Sequence, residues 1–229
     1  MRLGHPRLHL RSVDSTNLRA RELAAAGAPH GTLVTATEQT AGRGRQGRSW
    51  AAPPGRALIA SLVLRDPPSL LSLSAAAAVA DVAGPDALIK WPNDVLVGTP
   101  ATRKVAGILA EGRPQEGWAV LGIGLNVAVR PADLPDELRD RAGSLDRDPS
   151  ELEAVLGELL IALERWTTAT DDAVLDAFRA RDALLSRRVR WGDGEGIGAG
   201  IDDAGRLLVE RPDGSRAALD AGEVHLLSG

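Results

Sequence analysis

Thr35 to Trp50 reads TATEQTAGRGRQGRSW, and much depends on whether its glycines open a helix. Gly42-Arg43-Gly44-Arg45-Gln46-Gly47 fits the dinucleotide pattern GxGxxG. Gly42 to Ser49 nearly fits the P-loop pattern GxxxxGK[ST], with Arg48 in place of the lysine. Both patterns seat a phosphate on the N-terminus of a helix that follows at once. Here Ser49-Trp50-Ala51-Ala52-Pro53-Pro54-Gly55 follows, and paired prolines before a glycine do not start a helix. Ala57 to Leu64, ALIASLVL, then reads as a strand. Both motif readings fail on context.

The loop's chemistry remains. Glycine lets a ligand approach the main chain closely. The forks of Arg43, Arg45 and Arg48 match carboxylate and phosphate oxygens, and Trp50 offers an aromatic face suited to a purine. An anionic, nucleotide-like ligand is the expectation. The bland alternatives are a solvated basic turn or a patch on nucleic acid.

Composition narrows the choice. The 229 residues allow one large domain or one with a small appendage, and 44% hydrophobic content suffices for a core. A net charge of −4 argues against a general nucleic-acid binder, so the arginines are a local positive spot on a mildly acidic protein. With no cysteine there are no disulfides or thiolate metal sites, and His5, His9, His30 and His225 are scattered without zinc spacing. The region after Met1 lacks the apolar core of a signal peptide, and no apolar run is long enough for a bilayer. A cytoplasmic protein is expected.

Working outward, Leu8 to Val13 reads as an opening strand. Asp14-Ser15-Thr16-Asn17 then precedes a helix over Leu18 to Ala26, ending at Gly27. Taken singly these polar residues read as helix caps; together they also make a polar pocket. Gly31 to Thr37 leads as a strand into the loop, with Gln39 near its end, and Leu70 to Val82 is an alanine-rich helix. Leu88 to Val97 is an apolar run broken by Pro92-Asn93, with Lys90 and Asp94 flanking the turn. Lys104 starts a strand through Glu111, and Ala119 to Val129 is a strand whose Gly122 and Gly124 suggest a close approach to the sheet.

A short helix is expected within Pro131 to Leu145, and Ser150-Glu151-Leu152-Glu153 reads as a capping box. Leu152, Val155, Leu156, Leu159, Leu160, Leu163 and Trp166 then recur at helical spacing as core, and a second amphipathic helix spans Asp171 to Leu185. After Ser186 the texture changes. Turn signals at Gly192-Asp193-Gly194, Asp203-Ala204-Gly205, Pro212-Asp213-Gly214 and Asp220-Ala221-Gly222 mark a small unit of five short strands. The expected domains are 1–185 and 186–229.

Several of these stretches together resemble the biotin protein ligases. They are Ser15-Thr16-Asn17, GRGRQGRSW from Gly42 to Trp50, Lys90-Trp91-Pro92-Asn93-Asp94, Lys104-Val105-Ala106-Gly107-Ile108-Leu109, and Gly122-Ile123-Gly124-Leu125-Asn126. The resemblance is close over Asp14 to Val129 and looser in the C-terminal unit. It implies an α/β (α+β) catalytic domain like that of class II aminoacyl-tRNA synthetases, followed by a small SH3-like barrel. It also implies chemistry in two steps. Biotin and ATP, with Mg2+ assisting, give biotinyl-5'-AMP and pyrophosphate. The biotinyl group then passes to a lysine of the biotin carboxyl carrier domain of acetyl-CoA carboxylase or a related acyl-CoA carboxylase.

By that resemblance Ser15, Thr16 and Gln39 contact biotin, beside Asn17, and the loop of Gly42, Arg43, Gly44 and Arg45 closes over it. Lys104 sits between carboxylate and α-phosphate. Arg48, Trp50, Asn93 and Asn126 belong to the nucleotide site, with Trp50 covering adenine, and Lys90 and Gly107 complete the lining. Lys104, Arg45 and Asp94 carry the catalytic roles, Asp94 accepting the proton of the carrier lysine; no protein ligand for the metal is named. Some family members carry an N-terminal winged helix and repress transcription. This catalytic domain starts within the first dozen residues, so a ligase alone is expected, as monomer or homodimer. The competing readings are a lipoate ligase of the same superfamily and a nucleic-acid-binding module.

Glycine with like charges has little to hold it until an anion arrives. Hydrogen exchange across Thr40 to Trp50 should therefore slow when biotin and ATP are added. Equal protection with and without them would count against a loop that orders on its ligand.

Overall fold

The computed structural model of the chain describes residues 2–98, 102–192, 194–220 and 222–227. Met1, Asp193 and Ala221, on which three of the readings above touch, lie outside the described residues. The strands are β1 (Arg7–Val13), β2 (Leu33–Gln39), β3 (Ala57–Arg65), β4 (Leu88–Lys90), β5 (Asp94–Val97), β6 (Arg103–Arg113) and β7 (Trp118–Asn126). They form a seven-stranded mixed sheet in the order β1-β2-β3-β7-β6-β5-β4, parallel only between β1 and β2. The helices are α1 (Thr16–Ala25), α2 (Leu71–Ala83), α3 (Asp136–Arg139), α4 (Leu152–Thr167) and α5 (Asp171–Arg179).

Side chains alternate along a strand, and here the alternation sorts the sheet into two unlike faces. Leu58, Ala60, Leu62 and Leu64 of β3 and Ala119, Leu121, Ile123 and Leu125 of β7 point to one side and join the main core. There they meet α2 and α4, whose buried residues include Ala75 to Ala80 and Val155, Leu156, Leu159 and Leu163. On the other side, Val63, Trp118 and Val120 pack with Ala20 and Ala24 of α1. Further along that second face Ala57 and Ile59 pack with Val129, Leu134 and, from α3, Leu138, while beside them the strands offer Ser61, Gly122, Gly124 and Asn126 instead of bulky apolar residues. One face is a core from end to end. The other is a core in part and a floor for the rest.

The C-terminal strands β8 (Arg188–Trp191), β9 (Gly194–Ile201), β10 (Leu207–Glu210), β11 (Arg216–Leu219) and β12 (Val224–Leu226) form an antiparallel sheet ordered β11-β10-β9-β8-β12. The chain between α5 and β8 is bonded at both ends. Ile89 N donates to Arg181 O (2.7 Å) and Ala183 N to Ile89 O (3.0 Å), while Ser186 N donates to Gly198 O (2.8 Å). Trp91, expected beside the turn of a hairpin, is buried and donates its Nε1–H to Gly205 O of the small sheet at 2.9 Å.

Three local expectations need correction. The box at the start of α4 is Asp148 with Glu151, not Ser150 with Glu153: Asp148 Oδ1 accepts from Ser150 N, and Glu151 Oε2 from Asp148 N. Pro149 opens that turn one residue after Asp148 and favours the earlier start. Glu153 is free to pair bidentately with Arg7 of β1. The helix from Asp171 ends at Arg179, because Arg181 and Ala183 spend their backbone groups on β4. Ser15 occupies the N-cap of α1, yet its side chain makes no capping hydrogen bond.

Asp182, in the bonded linker, accepts from Leu184 N at 2.8 Å through Oδ1, while Oδ2 is buried without a partner. Burial pushes its carboxyl above the usual range, against the pull of the Leu184 and Leu185 amides. A raised folded value means the contribution is most favourable below the unfolded pKa and is lost as pH rises through the folded one. At neutral pH the charge therefore costs stability. Asp182→Asn, which keeps the Oδ1 acceptor, should raise Tm at neutral pH by roughly 2–4 °C, the shift about 1 kcal/mol produces in a chain this size. Melting curves down to about pH 4 should show the gain shrinking as the wild-type carboxyl is protonated.

Candidate active site

The strand registers lay out the floor in rows. Lys90 pairs with Asp94, Asp94 with Gly107, Gly107 with Gly124, and Gly124 with Ile59. The next row is Leu109, Gly122 and Ser61. A cleft of about 720 Å³ stands on these rows. Of the residues expected at the site, all but Gly42 and Arg45 line it: Ser15, Thr16, Asn17, Gln39, Arg43, Gly44, Arg48, Trp50, Lys90, Asn93, Asp94, Lys104, Gly107 and Asn126. Gly42 lies behind Gln39, where a Cβ would meet Trp50 O at once. Arg45 turns aside, its Nη1 3.5 Å from Asn93 Oδ1.

Lys104 reaches the floor through an irregularity. Ala106 and Ile108 point into the core and Gly107 to the cleft, so strict alternation would send Lys104 into the core as well. The register slips between Val95, opposite Ala106, and Leu96, opposite Lys104. Val105 is the extra residue, buried like its neighbour Ala106. A bulge re-aims the side chains beyond it. Lys104 Nζ then lies above Gly107 and 2.7 Å from Asp94 Oδ1. No well-directed hydrogen bond is formed between them, and Asp94 Oδ1 has no other partner. The contact is an ion pair with the lysine still a third exposed.

Trp50 lies flat on the facing glycines. A Cβ on Gly124 would stand 2.3 Å from Trp50 Cε2, and one on Gly107 3.1 Å from Cζ3. Lys104 Nζ is 5.6 Å from the ring centroid, within cation–π reach. The indole Nε1 is buried and makes no hydrogen bond. The ring thus has one face on bare backbone and one donor unspent.

At the α1 end of the cleft the polar residues hold one another. Gln39 Oε1 accepts from Thr16 N at 2.7 Å and lies 3.1 Å from Thr16 Oγ1. Ser61 Oγ is 2.8 Å from Thr16 Oγ1 and 2.6 Å from Asn17 Oδ1. Two hydroxyl protons serve these oxygens. With Gln39 Oε1 supplied by the Thr16 amide, Thr16 donates to Ser61 and Ser61 to Asn17; each group then has a partner, and Thr16 Oγ1 and Gln39 Oε1 lie side by side with no proton between them. Asn17 Nδ2 in turn donates to Glu111 Oε2 at 2.9 Å. The Gln39 amide nitrogen is left over as a donor beside the cleft. Ser61, fully buried in an otherwise apolar strand, was missed from sequence; a lone hydroxyl in ALIASLVL was the available signal.

At the opposite end Asn126 Nδ2 donates to Gly143 O (2.9 Å) and Asn93 Nδ2 to Ile108 O (2.8 Å), so both amides brace backbone at the rim. Residues 141–143 run beside Lys104: Lys104 N donates to Arg141 O, and Gly143 N to Lys104 O. The arginine loop is a narrow hairpin with Arg43 bridged to Ser49 and Gly44 N bonded to Arg48 O at 2.7 Å, turning at Gln46 (φ 54°) and Gly47 (φ 75°). Burial holds the Arg45 and Lys90 cations below their usual ranges, with Asp94 opposing in both cases. From the small sheet, Glu223 Oε1 meets Arg48 Nη1 at 2.5 Å, and Glu223, His225 and Leu226 close one side of the cleft. Nothing in the sequence flagged them, because their place depends on how two sheets dock.

For a magnesium ion, the acidic lining is Asp94, Asp140 and Glu223, of which Asp94 and Glu223 are already engaged by Lys104 and Arg48. Among the described residues no three metal-binding side chains converge. The residues do not compose a protein cage for Mg2+, and no step is assigned to the ion.

Known proteins carry the same pattern. Residues 10–127 match the Biotin/lipoate A/B protein ligase family, and residues 187–227 match the Biotin protein ligase C terminal domain. The chain belongs to the biotin protein ligase family. A biotin–[acetyl-CoA-carboxylase] ligase of Mycobacterium tuberculosis is 37% identical over 93% of this chain and 85% of its own length. The bifunctional ligase/repressor BirA of Bacillus subtilis is 37% identical over 91% of this chain and 70% of its own. Among solved structures, the biotin protein ligase from Aquifex aeolicus in complex with biotin and ATP superposes with a TM-score of 0.76 at 28% identity, covering 98% of this chain and 100% of that one.

The glycine floor makes a direct forecast. Gly124→Ala puts a methyl where the Trp50 ring lies, so the indole must lift or the strand must shift, at about 1–3 kcal/mol. The variant should melt lower, and its tryptophan fluorescence should move towards that of a solvated indole. An unchanged melt and spectrum would mean that Trp50 does not rest on Gly124.

Proposed function

We propose that this biotin protein ligase joins biotin to ATP in the cleft and passes the biotinyl group to a lysine of a biotin carboxyl carrier domain. One observation carries the assignment of the site: the Val105 bulge sets Lys104 on the same bare floor as the polar cluster at α1 and the cations of the arginine loop. The ring and ureido groups of biotin suit the closed cluster of Ser15, Thr16, Asn17 and Gln39, which offers neutral donors and acceptors and no full charge. The nucleotide suits the other half, with Trp50 as a flat wall and Asn93 and Asn126 bracing the rim.

In the first step a carboxylate oxygen of biotin attacks the α-phosphorus of ATP. A bond to phosphorus forms, the bond to the β-phosphate oxygen breaks, and pyrophosphate departs with the electron pair. Two anions must approach each other, so fixed cations aimed at the developing charge are the main assistance a protein can give. Lys104 supplies one from the floor, held by Asp94; Arg43 and Arg48 supply others from the loop above, and Arg45, turned aside in this structure, would join them when the loop closes. The family also works with magnesium, which suits a lining that leaves the ion to phosphate oxygens and water. Closure of the loop would then keep water from the mixed anhydride.

Incubation with biotin and ATP in magnesium buffer, followed by mass spectrometry, should find bound biotinyl-adenylate; lipoate offered alone should give far less. Lys104→Ala should separate chemistry from folding. Lys104 is a third exposed but Asp94 is only 13% exposed, so removing the lysine leaves a largely buried carboxylate and should lower stability by about 1–3 kcal/mol without unfolding the chain. Loss of one preorganised cation should cost about a hundredfold or more in ATP–pyrophosphate exchange. If the variant folds and exchanges at the wild-type rate, Lys104 is a bystander and the site is assigned wrongly.

A further inference from the structure

The second step needs a proton acceptor. The attacking amine becomes positively charged as its nitrogen bonds to the acyl carbon, and that proton must go somewhere before the amide is stable. Asp94 is the acceptor expected from sequence, but it is held by the Lys104 ammonium. A carboxylate is also a weak base for this purpose, its usual pKa lying about six units below that of an alkylammonium. General bases work best when their basicity is matched to the task.

Lys90 stands next in the same row, one strand beyond Asp94, on the edge strand of the large sheet. Its side chain lines the cleft with that of Lys104. The two lysines keep different company. Lys104 touches Asp94, whereas among the described residues Lys90 has neither a carboxylate at ion-pair distance nor a hydrogen-bond partner. The linker covers the backbone edge of β4, but the Lys90 side chain lines the open cleft into which an acceptor lysine must reach.

We propose that Lys90 Nζ takes the proton released when the acceptor lysine attacks the activated acyl group, and that Asp94 serves to hold Lys104. This rests on the ligase reading and concerns only the second step. The acceptor nitrogen bonds to the acyl carbon, the bond from that carbon to the phosphate oxygen breaks, and AMP leaves with the electron pair. The N–H proton passes to Lys90 Nζ and from there to water. Burial favours the neutral amine this requires. Lys104 on β6 and Arg48 in the loop push the same way, while Asp94 on β5 and Glu223 beside β12 oppose them.

The test uses the full chain as wild type, Lys90→Arg and Lys90→Met, each loaded with prepared biotinyl-adenylate. Transfer is followed in single turnovers to two acceptors: a carrier domain that the wild type labels, and hydroxylamine, a far weaker base whose nitrogen, once bonded to the acyl carbon, sheds its proton to water unaided. Adenylate formation is measured separately by pyrophosphate exchange. Arginine keeps the charge and cannot serve as a base; methionine keeps the length and buries readily, in case arginine does not fit. Transfer to the carrier lysine should fall about a hundredfold or more in both variants. Hydroxylamine should lose about tenfold at most, and adenylate formation should fall much less than lysine transfer. The wild-type pH profile for lysine transfer should also lose one rising limb in the arginine variant. Labelling of the carrier by Lys90→Arg at the wild-type rate overturns the proposal. So does an equal loss with both acceptors, or an equal loss in both steps. A wild type that makes no adenylate from biotin and ATP would instead sink the ligase reading.

Discussion

Everything in this site depends on one surplus residue in one strand. Val105 interrupts the pairing of β6 with β5, and because side chains alternate, that single insertion decides which way Lys104 points. Without it the ammonium would sit among Ala106, Ile108 and Val95 in the core, where an unpaired charge is prohibitively costly. With it the same lysine shares a face with Gly107, Asp94 and Trp50. The bulge also allows Val105 and Ala106 to be buried together, so the core loses nothing by the change of direction.

The second constraint is flatness. A twisted sheet normally carries bulky side chains on both faces, and an indole cannot lie on them. Gly107 facing Gly124 removes both Cβ atoms at one point of the ladder, and Trp50 uses the space. Beside it Gly122 makes room for Asn17, whose Oδ1 would stand 2.0 Å from any Cβ there. Substituting for these glycines would not create a void or relieve strain; it would fill the place where aromatic and amide groups rest.

Much of this was legible in the chain itself. The paired prolines after the arginine loop ruled out a phosphate-binding helix, and β3 follows as expected. The helical core stripe of α4 and the five C-terminal strands also follow from period and turn chemistry, while the mixed α/β sheet was implied by the family resemblance. That Lys104 lines the cleft was legible only through family resemblance, since alternation read naively sends it inward. Ser61 and Glu223 were not legible, because their partners lie 44 or more residues away in sequence, and His225 reaches the cleft only through the placing of the small sheet. Local pattern carries no information about such pairings. The capping box of α4 was misread by two residues because two overlapping acidic boxes compete there, and the proline at position 149 selects the earlier one.

The linker between the two sheets has a further consequence. By bonding Arg181 and Ala183 to Ile89 it occupies the free side of β4, the last strand of the large sheet. An open strand edge is a template for another molecule. The connection that carries the chain to its small C-terminal unit thus also seals the cleft end of the large sheet. A version of this protein ending after α5 would lose more than the small unit. It would present bare amides and carbonyls on β4, beside the cleft, and neighbouring copies could stack on them strand by strand. Solubility and catalysis, usually separate concerns of a fold, are here guarded by the same few backbone groups.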